Sequence, residues 1–211
     1  MSRAGKIPNA MPEIPPKPES NTESSAEQAP RRVFIEVGAG SAPFSFWGKR
    51  KIGENETYVD IDIDKDSAAS AKSLAERHPQ EMGEGRRYVV RGDAKNLPLA
   101  DASADEVFMG NVLSDETHIS FDDRKRFLFE ISRALNKDGR LIIKETSTPL
   151  NYEKLNELLQ GTDFSVEKVW DKNSEPEEFE AKRRLYEGET DMSAQDAYIA
   201  VFKKGDGRDA Q

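Results

Sequence analysis

Cysteine is absent from this 211-residue chain, and histidine occurs only at His78 and His118. The first absence removes disulfides, thiolate-bound zinc and a cysteine nucleophile from consideration. The second leaves too little imidazole for a multi-histidine site, so no metal centre is expected. No stretch approaches the roughly 18–20 consecutive apolar residues that span a bilayer, and no apolar signal-peptide core follows Arg3 and Lys6. A cytoplasmic chain without a membrane contact is the expectation. Basic charge is short as well, the formal net charge being −9. A phosphate backbone demands a basic face, so nucleic acid is not expected as a partner. The basic groups Lys49-Arg50-Lys51 and Arg183-Arg184 read as solvated faces.

Apolar residues make up only 36% of the chain, low for a packed α/β domain. Segment 1–30 explains part of the deficit. It holds Pro8, Pro12, Pro15, Pro16, Pro18 and Pro30 among Ser, Asn and Glu, with no apolar period. Proline withholds backbone donors, so this stretch builds neither helix nor sheet. We expect a disordered tail over 1–30, one folded domain over 31–204 and a short tail over 205–211.

From Arg32 onward, strand and helix patterns alternate, the signature of a parallel sheet covered by helices. Strands are expected at Arg32–Val37, Thr57–Asp62, Arg87–Arg91, Glu106–Gly110, Arg140–Glu145, Phe164–Trp170 and Ala197–Lys203. Asp64 reads as the cap of a helix running to about Arg77. A second helix is expected over Asp122–Asn136, with Phe127, Leu128, Ile131 and Leu135 at helical spacing. Gly139 stands where such a helix stops. Helices near Tyr152–Leu159 and Pro176–Tyr186 complete the pattern. The last of these lies in Asp171–Gln195, read as an insertion before the final strand, and either as part of the substrate side or as a charged surface excursion.

Chemistry concentrates at the carboxyl ends of the strands, where ligands sit in open α/β sheets. The run Val33–Ala42 ends in Glu36-Val37-Gly38-Ala39-Gly40-Ser41-Ala42, and its two glycines let the backbone approach a ligand. Pro43 speaks against a dinucleotide loop. Strand two ends in Asp62, a carboxylate able to accept from both hydroxyls of a ribose. Asp64 is committed to a helix cap and Asp60 falls inside the strand, so Asp62 takes that role. Gly92-Asp93-Ala94 follows strand three, and Asn111-Val112-Leu113 follows strand four.

This ordered series resembles the class I S-adenosylmethionine (SAM)-dependent methyltransferases. The resemblance implies a Rossmann-like α/β fold, a three-layer sandwich around a seven-stranded, mostly parallel sheet with the seventh strand antiparallel beside the fifth. It implies SAM as cofactor, with the Gly38-Ala39-Gly40 loop on its methionine and ribose parts and Glu36 near the methionine amino end. Ile63 accompanies Asp62 at the nucleoside. Asp93 and Ala94 inherit the adenine contacts, and Asn111 touches the cofactor. No Asn-Pro-Pro-aromatic motif follows strand four, which rules down amino-directed nucleic-acid methylation. The acceptor is then a small molecule or a protein group. Asp115 and His118 are the candidates on its side, His118 as general base. A second reading keeps the fold but makes the domain a SAM-binding or inactive interaction module.

Overall fold

Residues 34–37 are buried without alternation, because strand β1 (Arg32–Val37) is covered on both faces. In a computed structural model, the structure describes residues 31–41, 51–145, 152–171, 176–187 and 198–205. Residues 1–30 and 206–211 of the expected tails, Ala42, Pro43, Lys49 and Arg50, and residues 172–175 and 188–197 lie outside it.

The other strands are β2 (Glu56–Asp62), β3 (Arg86–Arg91), β4 (Ala104–Gly110), β5 (Leu135–Glu145), β6 (Phe164–Asp171) and β7 (Tyr198–Lys204). They form one seven-stranded sheet in the order β3-β2-β1-β4-β5-β7-β6. All neighbours are parallel except β7, which runs antiparallel to both β5 and β6. The helices are α1 (Lys65–Arg77), the single turn α2 (Pro79–Met82), α3 (Phe121–Ala134), α4 (Tyr152–Leu159) and α5 (Pro176–Glu187). Among the described residues, no helix is long and apolar enough to cross a membrane.

Two clusters sandwich the sheet. One joins Ile35, Val37, Val107, Met109, Leu141 and Ile143 to Phe127, Leu128 and Ile131 of α3 and Leu155 and Leu158 of α4. The other joins Phe34, Tyr58, Phe108, Ile142 and Ile199 to Phe179 of α5. The helix expected within the insertion thus closes the second face of the sheet through a fully buried phenylalanine. The order places the carboxyl ends of β1, β2, β3 and β4 side by side, with strand connections diverging between β1 and β4.

Helix starts follow their caps. Asp64 caps α1 as expected, accepting the Ser67 N–H at 2.7 Å. Helix α3 starts at Phe121, one residue before the expected Asp122, and its cap is Ser120, whose hydroxyl accepts the Asp123 N–H at 3.1 Å. Ser120→Ala should therefore cost about 1 kcal/mol, read as a shift in the urea midpoint without a change in slope.

The end of α3 corrects the expectation. The helix stops at Ala134, not Asn136, and Gly139 lies inside β5. Leu135 is fully buried, already extended, and paired with Ala104, so sheet pairing overrides its helical spacing. Glycine at 139 serves a close approach instead, since a Cβ there would lie 2.8 Å from Leu135 Cδ2.

Candidate functional site

Four strand ends build the site. At the end of β1, Gly38 and Gly40 take φ of 71° and 59°, a region that disfavours side chains. Gly38 is also pressed from outside: a Cβ there would meet Val112 Cγ2 at 2.4 Å. Its N–H donates to the Ile61 carbonyl at 2.8 Å, which fastens the loop to β2.

Asp62 holds the same loop with its side chain. One carboxylate oxygen accepts the Gly40 N–H at 2.7 Å and the other accepts the Asp64 N–H at 2.8 Å. Each oxygen keeps a second acceptor direction, since a carboxylate offers about four. Beside it, Ile63 is 60% exposed, an apolar surface with no cover. The β3 end is tied in by the Gly92 N–H on the Asp62 carbonyl at 2.9 Å. Asp93 then forms a turn, its carboxylate accepting the Lys95 N–H at 2.9 Å. Arg133 of α3 braces this segment by donating to the carbonyls of Leu97 and Leu99 at 3.2 and 2.9 Å. Arg133 also bonds Glu130, holding that carboxyl below its ordinary range, and Glu130 in turn accepts the Leu97 N–H.

Beyond β4, Asn111 adopts φ of 57°, unusual for a residue with a side chain. Its N–H donates to the Lys144 carbonyl of β5 at 2.8 Å. The loop continues to Asp115 and His118. The His118 Nδ1 lies 3.0 Å from both Asp115 oxygens, and this bond lowers the Asp115 pKa. The pair is local and open to solvent, with the His118 side chain 78% exposed.

These ends enclose a cavity of about 360 Å³. Of the residues expected from sequence, Gly38, Asp62, Ile63, Asp93, Ala94, Asn111, Asp115 and His118 line it. Ala39 and Gly40 do not; they sit in the turn that shapes it. Glu36 lies elsewhere. It is buried, accepts the Tyr58 hydroxyl at 2.9 Å, and so faces the cluster on the other side of the sheet. Lys95, Asp123, Ile119 and Phe127 also line the cavity, beyond the residues expected from sequence. The sequence signal for Asp123 and Phe127 was spent on helix placement, and Ile119 carries no chemical signal at all. Lys95 and Asp123 face each other there at 3.6 Å. Among the described residues, no cluster of metal-ligating side chains occurs.

Comparison with known proteins bears on this geometry. A family model described as a methyltransferase domain matches residues 35–143, which is more than half of the chain. The match takes in the second half of β1, all of β2 to β4, the residues lining the cavity and most of β5. A TehB-like SAM-dependent methyltransferase from Corynebacterium glutamicum is similar in structure, at 18% identity and a TM-score of 0.57. That likeness covers 83% of this chain and 82% of that one. A SAM-dependent methyltransferase from Methanosarcina mazei superposes with a TM-score of 0.60 at 16% identity, over 84% of this chain and 94% of that one. One from Aquifex aeolicus gives 0.57 at 14% identity, over 82% of each. At such identities the solved structures speak for the fold. No match was found among curated protein sequences. The family match carries the rest, and favours an enzyme over an interaction module: the chain belongs to the methyltransferase-domain family and is a SAM-dependent methyltransferase.

Proposed function

We propose that SAM binds in the 360 Å³ cavity and that the methyl acceptor, a small molecule or an accessible protein group, approaches past Asp115 and His118. One observation carries this reading: residues from four strand ends, far apart in sequence, converge on one cavity at the point where strand connections diverge.

The side chains fit the cofactor. Asp62, pinned by two backbone N–H groups, keeps acceptor capacity for a pair of ribose hydroxyls. The bare surface of Ile63 suits the face of an aromatic base, whose burial would remove that exposed apolar area from water. Asp93 and Ala94 stand at the edge of the same space, for the amino group and ring of adenine. Asn111 takes the methionine side with Gly38.

Bound SAM supplies an electrophilic methyl group, so the protein's task is to orient two reactants and exclude competing water. Asp115 fixes the His118 ring through Nδ1, an arrangement that suits taking a proton from a hydroxyl or ammonium acceptor. Four aspartates, Asp62, Asp93, Asp115 and Asp123, against Lys95 and His118 give the cavity an acidic lining. That balance favours a cationic cofactor and disfavours polyanionic acceptors.

Calorimetric titration tests the assignment. S-adenosylhomocysteine, the demethylated product, is expected to bind while NAD gives no heat at about 1 mM. Gly38→Ala should weaken binding at least about tenfold, since its Cβ collides with Val112 at a backbone angle that resists it. Unchanged affinity in that variant would place the ligand elsewhere.

A further inference from the structure

One residue in the loop after β4, Leu113, is gripped on both sides of its Cα. The Leu113 N–H donates to Glu145 Oε1 at 3.0 Å, and its carbonyl accepts from Arg124 Nη1 at 3.1 Å. Leu113 and Glu145 are fully buried, and Arg124 nearly so. Two residues earlier, the Asn111 N–H is held by the Lys144 carbonyl at 2.8 Å. The last two residues of β5 and one residue of α3 therefore moor a loop that gives the cavity Asn111, Val112, Asp115 and His118. A positive φ at Asn111 persists only where surroundings enforce it.

The three moorings differ in kind. The carbonyl stays neutral and the guanidinium stays charged at any physiological pH, whereas a carboxyl can change its charge. Burial raises Glu145 to about 7, against the pull of Ser114, the Leu113 N–H and the Lys144 ammonium. Opposite it on β7, the paired residue is Tyr198. Among the described residues, neither the Tyr198 hydroxyl nor Glu145 Oε2 meets a hydrogen-bond partner. From α3, Arg124 acts across Leu113, with Glu116 3.5 Å beyond it and Lys154 of α4 3.8 Å from Glu116. Leu155 and Leu158 of α4 contribute apolar surface to the same cluster as Leu113 and Tyr198.

We propose that Glu145 is a positioning residue that couples the order of the Asn111–His118 loop, and through it occupancy of the cavity, to its own ionisation. The inference rests on the assignment of that cavity to SAM. An ionised carboxylate accepts N–H bonds more strongly than a neutral acid. The loop delivers the Leu113 and Ser114 donors only when it is in place. A ligand packed on Asn111 and Val112 keeps it there, strengthening both bonds and favouring the charged form. By linkage, binding must then expel part of a proton, and affinity must rise with pH across neutrality.

Two measurements on the full chain test this. Titration with S-adenosylhomocysteine at pH 7, in two buffers of different ionisation enthalpy, counts protons exchanged. It is run in the parent and in a His118→Asn background that takes the imidazole out of the count. Release of roughly a third of a proton per ligand is expected in both. Glu145→Gln keeps an oxygen for the Leu113 N–H, so affinity should stay within about threefold of the parent while the release disappears. Glu145→Leu, which removes the acceptor, should bind at least about tenfold more weakly. The second measurement needs no ligand: the Leu113 amide resonance should titrate near pH 7 in the parent and not in Glu145→Gln. Equal proton release in Glu145→Gln, or parent-like affinity in Glu145→Leu, would overturn the proposal, as would an amide titration that survives the Gln variant. Binding without proton release sinks the coupling alone. An intact amide titration with no binding in the parent sinks the cavity assignment, and the coupling falls with it.

Discussion

Arg87→Met is expected to lower the stability of the fold by about 3–5 kcal/mol at pH 8, and by clearly less at pH 5. Asp60 on β2 and Arg87 on β3 form a 2.5 Å ion pair with side chains only 1% and 9% exposed. Burial lifts the Asp60 pKa to about 6 even though the charge and hydrogen bond of Arg87 pull it down. Without the guanidinium, the only way to avoid an uncompensated buried charge is to bind a proton. The sign follows from proton counting. A carboxyl whose folded pKa lies above its unfolded value of 3.8 binds more protons when folded, so stability falls as pH rises through that interval. In the parent the decline ends near pH 6. In Arg87→Met it continues to higher pH, and the penalty grows with it. Glu145, raised from 4.5 to about 7, adds a decline of the same sign in both proteins. Urea unfolding at the two pH values reads the difference, and equal losses at pH 5 and pH 8 would show that Asp60 is not the group involved. The double variant Asp60→Leu with Arg87→Met should recover most of the stability, because the lone charge goes with its partner.

What could be read in advance divides along the distance over which a residue acts. That Asp62, Gly38, Asp93 and Asn111 gather at one cavity is legible because each sits where its own strand stops, and a stop is a local pattern of β-branched run, turn residue and cap. Gly139 misled for the same reason. A glycine after a helical repeat has two uses, and only the pairing of Leu135 with Ala104 decides between them. Family likeness puts the acidic residue of the first loop, Glu36, at the ligand. Strand alternation turns the Glu36 side chain to the face that holds Tyr58 and leaves Val37 toward the cavity. The moorings of the Asn111–His118 loop carry no sequence signal. Glu145 ends β5 and Arg124 sits a full turn into α3, and nothing but the packed structure brings both to Leu113. Asp60 was recognised as lying within a strand, yet its partner is 27 residues away on the neighbouring strand.

Asp62→Ala should weaken S-adenosylhomocysteine binding by about 2–3 kcal/mol, roughly thirty- to a hundred-and-fifty-fold, with a much smaller loss of stability. Two effects add at this one side chain. Its oxygens fix Gly40 and Asp64 at 2.7 and 2.8 Å, so removing them loosens the glycine turn and the entry to α1 together. The same oxygens are the acceptors proposed for the ribose hydroxyls, and hydrogen bonds to a charged group are the stronger kind. Asp62→Asn separates the two contributions. It keeps one oxygen but turns an amide toward a backbone donor, so it should lose most of the turn while retaining part of the ribose contact. Asp60→Ala provides the contrast two residues away. Its carboxylate is buried against Arg87 rather than turned to the cavity, so it should cost stability and leave affinity nearly unchanged. Calorimetry and urea unfolding on the three variants give each its own pair of values. If Asp60→Ala lost the affinity and Asp62→Ala the stability, the carboxylate at the end of β2 would not be the one that reads the nucleoside.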